Sequence, residues 1–341
     1  MNKKRVLAML LAGAMALSMT ACGGGNSAST DGSSNDGGAS ASGGSYKVSV
    51  ILKTLAAEYW QYVKSGAEDY ASEHSDKVTV EVKGPSSETA FDEMQNMIET
   101  DLSSGTYDGI VISPLQSDTA AQLVSGTKLP IVAIDTNFTA PEVKSFVGTG
   151  NEAAAKKGGE AAVEAAKAAG WTDIKCIEIA GVQGDETHEA RLAGYKEGVA
   201  EAGGEVVEVQ YCDGLAEKAA TAMESVMQMY PDGIDIVLSS NDDMAMSVVK
   251  IIKDSGNAKY ADTIVCGFDG NTSAISAIKD GTLGMDIAQL GYDMGYKAVE
   301  AAVKALEGEQ VDSFIDSGSK VVDSTNCDEY IDDMKAKGLW E

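Results

Sequence analysis

Short apolar runs, each followed by a stretch with apolar residues every three or four positions, recur from residue 46 almost to the end of the chain. The first runs are 47–52, 77–82, 108–112 and 130–134, with a fifth at about 143–147. Such runs, bounded by turn-forming residues, predict strands. Stretches such as TAFDEMQNMIETDL at 89–102 carry helical spacing between them. The alternation then restarts, with strands predicted at 174–179, 205–210, 234–238, 262–267 and 283–288. Regular strand–helix alternation with short connections predicts an α/β fold with parallel, doubly wound sheets. The restart near residue 148 predicts two similar lobes.

Sheets of this kind bind ligands beyond the carboxyl ends of their strands. The residues that fall there include Lys53 with AAEYW at 56–60, GPSSE at 84–88 and DTN at 135–137. The second half adds GVQGDETHEAR at 181–191, CDG at 212–214, SSNDD at 239–243, GFDGN at 267–271 and AQL at 288–290. Asp, Asn and Thr also cap helices and form turns, so at any one position capping competes with binding. Capping does not account for Arg191 or for the adjacent rings of Tyr59 and Trp60, in a chain with 3 Trp and 5 Phe. Those rings either seal the core or face a ligand. Carboxylates and amides offer paired hydrogen bonds to neighbouring hydroxyls, Arg offers a rigid fork of donors, and rings offer flat faces to the C–H side of a sugar. The set suits a small polyol.

The first residues change where this chemistry is expected. MNKKRVLAMLLAGAMALSMTAC has a basic start, an apolar run too short to be a good membrane span, and small residues before a Cys. It reads as a signal peptide over residues 1–21, with MTAC resembling the signal for lipid attachment at Cys22. Residues 23–45, GGGNSASTDGSSNDGGASASGGS, hold no large apolar side chain and read as a disordered tether spanning about 26 Å. The nearly 300 residues that follow suffice for one large domain or two lobes. With 26 Lys and Arg against 53 Asp and Glu, the net charge is −27. Removing the leader's three basic residues takes it to −30. A nucleic-acid binder needs a basic footprint, and this chain has the opposite. The dispersed acid reads as a solvated surface.

Cys176, Cys212, Cys266 and Cys327 form no CxxC, and 2 His in the whole chain leave no metal-ligand spacing. Cys176 and Cys266 lie in apolar runs and read as buried thiols; spacing does not decide whether any disulfide forms. GTGNEA at 148–153 fits a dinucleotide-binding fingerprint, but Asp173, twenty-odd residues on, is not at the end of a following strand. The motif also falls at the restart, where a crossing between lobes needs glycine. No nucleophile elbow or phosphate loop is present. His188, among Asp185, Glu186 and Glu189, reads as a solvated loop or site-rim residue rather than a general base.

NDDMA at 241–245, GFDG at 267–270 and IAQL at 287–290, with KTLAAEYW at 53–60, AIDTN at 133–137 and EARLAGY at 189–195, carry a resemblance. Over about 46–325 the chain resembles the ribose/galactose-type periplasmic sugar-binding proteins, the substrate-binding subunits of ABC importers. The resemblance implies two Rossmann-like lobes joined by three hinge crossings, with lobe 1 over about 46–149 and 290–318 and lobe 2 over about 150–289 and 319–341. It implies that Tyr59 and Trp60 stack on a sugar and that Asp135, Arg191, Asn241, Asp269 and Gln289 bond its oxygens. Lys53, Glu88, Asp185 and Thr187 are further candidates. It also implies a lipid-anchored, monomeric protein outside the cytoplasm that hands its cargo to an ABC permease, with no cofactor and no catalysis. The alternative is a sensor that feeds a chemoreceptor or kinase, or that binds a furanose-type signal. Three positions depart from the family: Ala57 and Thr136 lack usual polar contacts, and Gly214 lacks a usual aromatic. The pocket is therefore expected to differ from a ribose pocket.

Overall fold

A computed structural model of the chain describes residues 45–340. The expected signal peptide, the lipidated Cys22 and the tether up to residue 44 lie outside the described residues. Twelve strands and ten helices make two six-stranded sheets. The first sheet holds β1 (Tyr46–Ile51), β2 (Val78–Lys83), β3 (Gly109–Ile112), β4 (Ile131–Ile134), β5 (Val143–Gly148) and β11 (Phe314–Asp316). Their spatial order is β11-β5-β4-β3-β1-β2, and all pairs are parallel. The second sheet holds β6 (Lys175–Ala180), β7 (Glu205–Tyr211), β8 (Ile236–Ser239), β9 (Ile264–Asp269), β10 (Met285–Gln289) and β12 (Ser319–Asp323), in the order β12-β10-β9-β8-β6-β7. Only β12 runs antiparallel, against β10. The two sheets are the doubly wound α/β lobes expected from the pattern.

The central strands are buried on both faces, so they read as continuous apolar runs. In β3, Ile110 and Ile112 face one side of the sheet and Val111 the other. Helices α1 (Glu58–Glu73) and α9 (Gly291–Leu306) cover one face of the first sheet, and α2 (Phe91–Ser104) and α3 (Ser117–Val124) cover the other. In the second sheet, α4 (Asn151–Ala168) and α5 (Glu186–Glu201) cover one face; α6 (Ala216–Met229), α7 (Asp242–Ser255), α8 (Thr272–Lys279) and α10 (Cys327–Ala336) cover the other. Each fully buried Val, Ile or Leu stabilises the fold by about 1.5–3 kcal/mol. The α1–α9 contact is close enough that a Cβ on Gly66 would lie 1.9 Å from the Tyr292 carbonyl oxygen.

Two strands were not expected from the pattern. β11 is three residues long, with Phe314 half exposed, and β12 is an edge strand set among Asp, Ser and Gly. Neither buries enough apolar surface to stand out. They flank the third of three adjacent crossings between the sheets, at 148–151, 289–291 and 316–319. The Ser317 N–H donates to the Gly148 carbonyl at 2.9 Å, and Leu290 N–H to Gly318 at 3.4 Å, so the crossings are bonded to one another. GTGNEA is thus a crossing rather than a cofactor loop. All four described cysteines are free and buried.

Candidate functional site

The carboxyl ends of the two sheets face each other across a cleft of about 190 Å3. It is lined by Lys53, Tyr59, Trp60, Glu88, Asp135, Thr187, Arg191, Asn241, Asp269 and Gln289, among others. These are all but one of the candidates read from the sequence. The exception, Asp185, stands behind the wall and holds Lys53.

The lobe 1 wall begins where β1 gives way to α1. Ala57 is the N-cap of α1, and no side chain bonds the first N–H groups of that helix. Tyr59 and Trp60 follow, packed edge to face with centroids 5.0 Å apart. Both rings are nearly buried and belong to the lobe 1 core while also lining the cleft. The Tyr59 hydroxyl donates to Asp135 Oδ1 at 3.2 Å, and Thr136 Oγ1 donates to Asp135 Oδ2 at 2.9 Å. Asp135 itself is held at φ +63°, a conformation that costs a non-glycine residue energy and is retained where the fold over-determines it. Trp60 Nε1 donates to Glu88 Oε1 at 2.9 Å.

The lobe 2 wall is more tightly bonded. Arg191 from α5 donates through Nε to Asn151 Oδ1 at 2.8 Å and through one terminal nitrogen to the Ser240 carbonyl at 2.5 Å. Its guanidinium lies 3.8 Å over the Phe268 ring and 3.5 Å from Asp269 Oδ1. Gln289 Nε2 donates to the same Asp269 oxygen at 2.8 Å. Asn241 caps α7 by accepting from the Met244 N–H at 2.9 Å, and donates to the Gly214 carbonyl at 3.2 Å. The capping reading of Asn241 therefore holds together with its place in the cleft. Behind Asp269, Asp242 and Asp286 lie fully buried on either side of Gly267. Burial, then Asp286, pushes the Asp242 carboxyl far up, and Asp242 accepts from the Asn271 N–H at 2.8 Å.

Several bonds join the lobes over the cleft. Lys53 Nζ donates to Asp185 at 2.7 Å, with both side chains nearly buried. Thr136 and Thr187 hydroxyls meet at 2.8 Å, and Thr272 donates from both N–H and hydroxyl to Glu58. Burial pulls the Lys53 amine down, but Asp185, Asp135 and Glu88 outweigh it and hold the amine above its ordinary range. Burial likewise raises Asp185, and Lys53 together with the His188 backbone N–H more than reverses that, leaving it well below the carboxylate range.

His188 is a correction. It is 4% exposed, not solvated. Its Nδ1 accepts from the Val182 N–H at 2.9 Å, and burial pushes its pKa down to about 3, so it is a neutral wall of the cleft. Its position one helical turn before Arg191 is the signal that places it there. Asn151 and Asn271 were also missed. Asn151 orients Arg191 from a distant crossing, and Asn271 lines the cleft with an unpartnered, buried Oδ1. Among the described residues no cluster of three or more His, Cys, Asp or Glu is placed to hold a metal ion.

A cleft of polar acceptors, one held Arg and two rings between doubly wound lobes has the makeup of a small-ligand site. A model of the periplasmic binding protein domain matches residues 48–310, and the chain belongs to that family. It is 30% identical over 280 residues to the ribose import binding protein of Bacillus subtilis, covering 81% of this chain and 87% of that one. The ribose import binding protein of Salmonella typhimurium is 29% identical over 267 residues, covering 77% and 86%. A carbohydrate transporter solute binding protein from Agrobacterium radiobacter, solved in complex with D-arabinose, superposes with a TM-score of 0.77 at 26% identity, over 87% of this chain and 99% of that one. These relatives bear out the resemblance to ribose/galactose-type sugar-binding proteins, which are solute-binding proteins and not enzymes.

Proposed function

We propose that this protein captures a monosaccharide or related polyol between its lobes and delivers it to an ABC import permease. The observation that carries the reading is the cleft itself: two ring faces from one lobe opposed by Arg191, Asn241, Asp269 and Gln289 from the other. Ligand contacts shared by both lobes favour the closed form, and the closed form is what a permease distinguishes from the open one. The relatives are importer subunits for sugars, which supports the same assignment. No helix of the described residues is long and apolar enough to cross a membrane. From the leader we infer that Cys22 is lipidated and holds a monomeric body, lobe 1 over about 46–149 and 290–318 and lobe 2 over about 150–289 and 319–341, outside the cytoplasm. Titrating the purified protein with a panel of sugars and polyols tests the reading. A ligand that binds only the folded form raises the melting temperature, and Trp60 fluorescence changes with it. A panel that moves neither signal sinks the sugar assignment.

A further inference from the structure

The charges in the cleft, taken together with that reading, narrow the ligand class. Both lining cations are already matched by the protein: Lys53 by Asp185 at 2.7 Å and Arg191 by Asp269 at 3.5 Å. Asp135 is satisfied within its own lobe by Tyr59 and Thr136. Glu88 is different. Its Oε1 accepts from Trp60, and Oε2 receives no hydrogen bond from the described residues. That oxygen points across the cleft: a Cβ built on Gly214 would lie 3.7 Å from it and 3.5 Å from Asn241 Nδ2. Gly214 has φ +71°, so a larger side chain is strained there. This end of the cleft is therefore walled by a carboxylate where a third ring would give an apolar face. On the opposite wall Gln289, 2% exposed, commits its amide N–H to Asp269 and leaves Oε1 unpartnered; Asn271 Oδ1 is likewise buried and unpartnered. Among the described residues, the buried unpartnered side-chain atoms that line the cleft are acceptors, and Glu88 Oε2 adds a carboxylate oxygen that receives no donor.

We propose that Glu88 is a specificity-determining residue of this cleft, and that the ligand is an aminated sugar or cyclic polyol whose ammonium group lies between Glu88 and Gly214. An ammonium group has three donors and no acceptor, and its bond to a carboxylate is about twice as strong as one between neutral groups. A carboxylated or phosphorylated sugar meets like charge at the same place. Burial pushes the Glu88 carboxyl upward against the pull of Lys53 and of the Trp60 N–H, with Asp135 and Asp185 adding to the push; Asp269 faces it from lobe 2. An ammonium ligand needs the ionised form, so its affinity falls as pH is lowered through the raised pKa, while a neutral sugar has no such requirement.

Calorimetric titration of the full chain at pH 7 tests this with matched probes: D-glucosamine against D-glucose, D-galactosamine against D-galactose, and D-glucuronate. The amine of at least one pair binds at least tenfold tighter than its hydroxyl counterpart, D-glucuronate shows no binding, and the preference shrinks at pH 5. Glu88→Gln keeps the shape and the acceptor for Trp60, and in it the preference of the amine over its hydroxyl counterpart disappears. Neutral sugars that bind at least as tightly as their amines, or a preference that survives Glu88→Gln, overturn the proposal while leaving sugar capture intact. A panel in which nothing binds, neutral or aminated, overturns sugar capture and this proposal with it.

Discussion

The two walls of the cleft are built differently. The lobe 2 wall is bonded within its own lobe: Arg191 to Asn151 and Ser240, Asp269 to Gln289, Asn241 to its helix, with the Asp242–Asp286 pair behind. The lobe 1 wall keeps Tyr59, Trp60 and Asp135 in its own network but sends Lys53 and Glu58 across to lobe 2 for their partners. Lobe 2 holds its wall largely with its own bonds, whereas lobe 1 shares the Lys53–Asp185 ion pair and the Glu58–Thr272 hydrogen bonds with its neighbour.

The strongest way to break this comparison is to unbuild the lobe 2 wall. Arg191→Met leaves Asp269 buried without its cation, and ligand affinity is expected to fall at least 100-fold, about 2.7 kcal/mol, by calorimetry. A loss below tenfold shows that the wall does not depend on Arg191. Lys53→Met acts on the other side. It removes a charged hydrogen bond worth about 2 kcal/mol to the closed form, and Asp185 regains water by opening. The radius of gyration of the ligand-free protein in solution scattering is expected to rise, and adding Asp185→Asn to return part of the difference. Equal radii for wild type and Lys53→Met would mean that the bridge does not hold the lobes.

A third experiment separates wall from scaffold. Glu178 in β6 is fully buried with both oxygens unpartnered, and burial pushes its pKa up to about 8. Between about pH 4.5 and that value the folded chain keeps a proton that the unfolded chain has released. Stability therefore falls as pH rises through this window, by about 1.4 kcal/mol per pH unit from this group. Glu178→Gln removes that contribution, which denaturant titrations at pH 5, 6.5 and 8 detect; an unchanged pH slope contradicts the assignment. The smallest effect expected is from Tyr59→Phe. It keeps the ring and loses the bond to Asp135, about 1 kcal/mol of affinity, with little change in melting temperature. A tenfold larger loss in affinity would place the hydroxyl itself on the ligand.

Inner strands such as β3, β4 and β8 were legible because strands buried on both faces are runs of Val and Ile, and the edge strands β2 and β7 were legible as Val-rich stretches. β11 and β12 were not, because an edge strand beside a crossing buries too little to leave a pattern. The strand-end rule collected most of the cleft, since a parallel sheet puts all its loops on one side. It did not separate Asp185, which caps α5 and holds Lys53, from residues that line the cleft. Asn151 was hidden for a different reason. Its role is a bond to Arg191 across forty positions, and no local pattern records a partner that distant.

The third crossing has a consequence for how the chain is made. β11 pairs with β5 through Phe314 and Phe146, and β12 pairs with β10 through residues 319–323. Both sheets thus receive their last strand from a stretch of ten residues close to the carboxyl end. Neither lobe is complete while the chain is still emerging, and the first sheet must hold its edge open for a segment 168 positions away. Contacts of such separation slow folding. Assembly of both sheets therefore waits on residues 314–323, and a truncation at residue 313 removes an edge from both lobes at once.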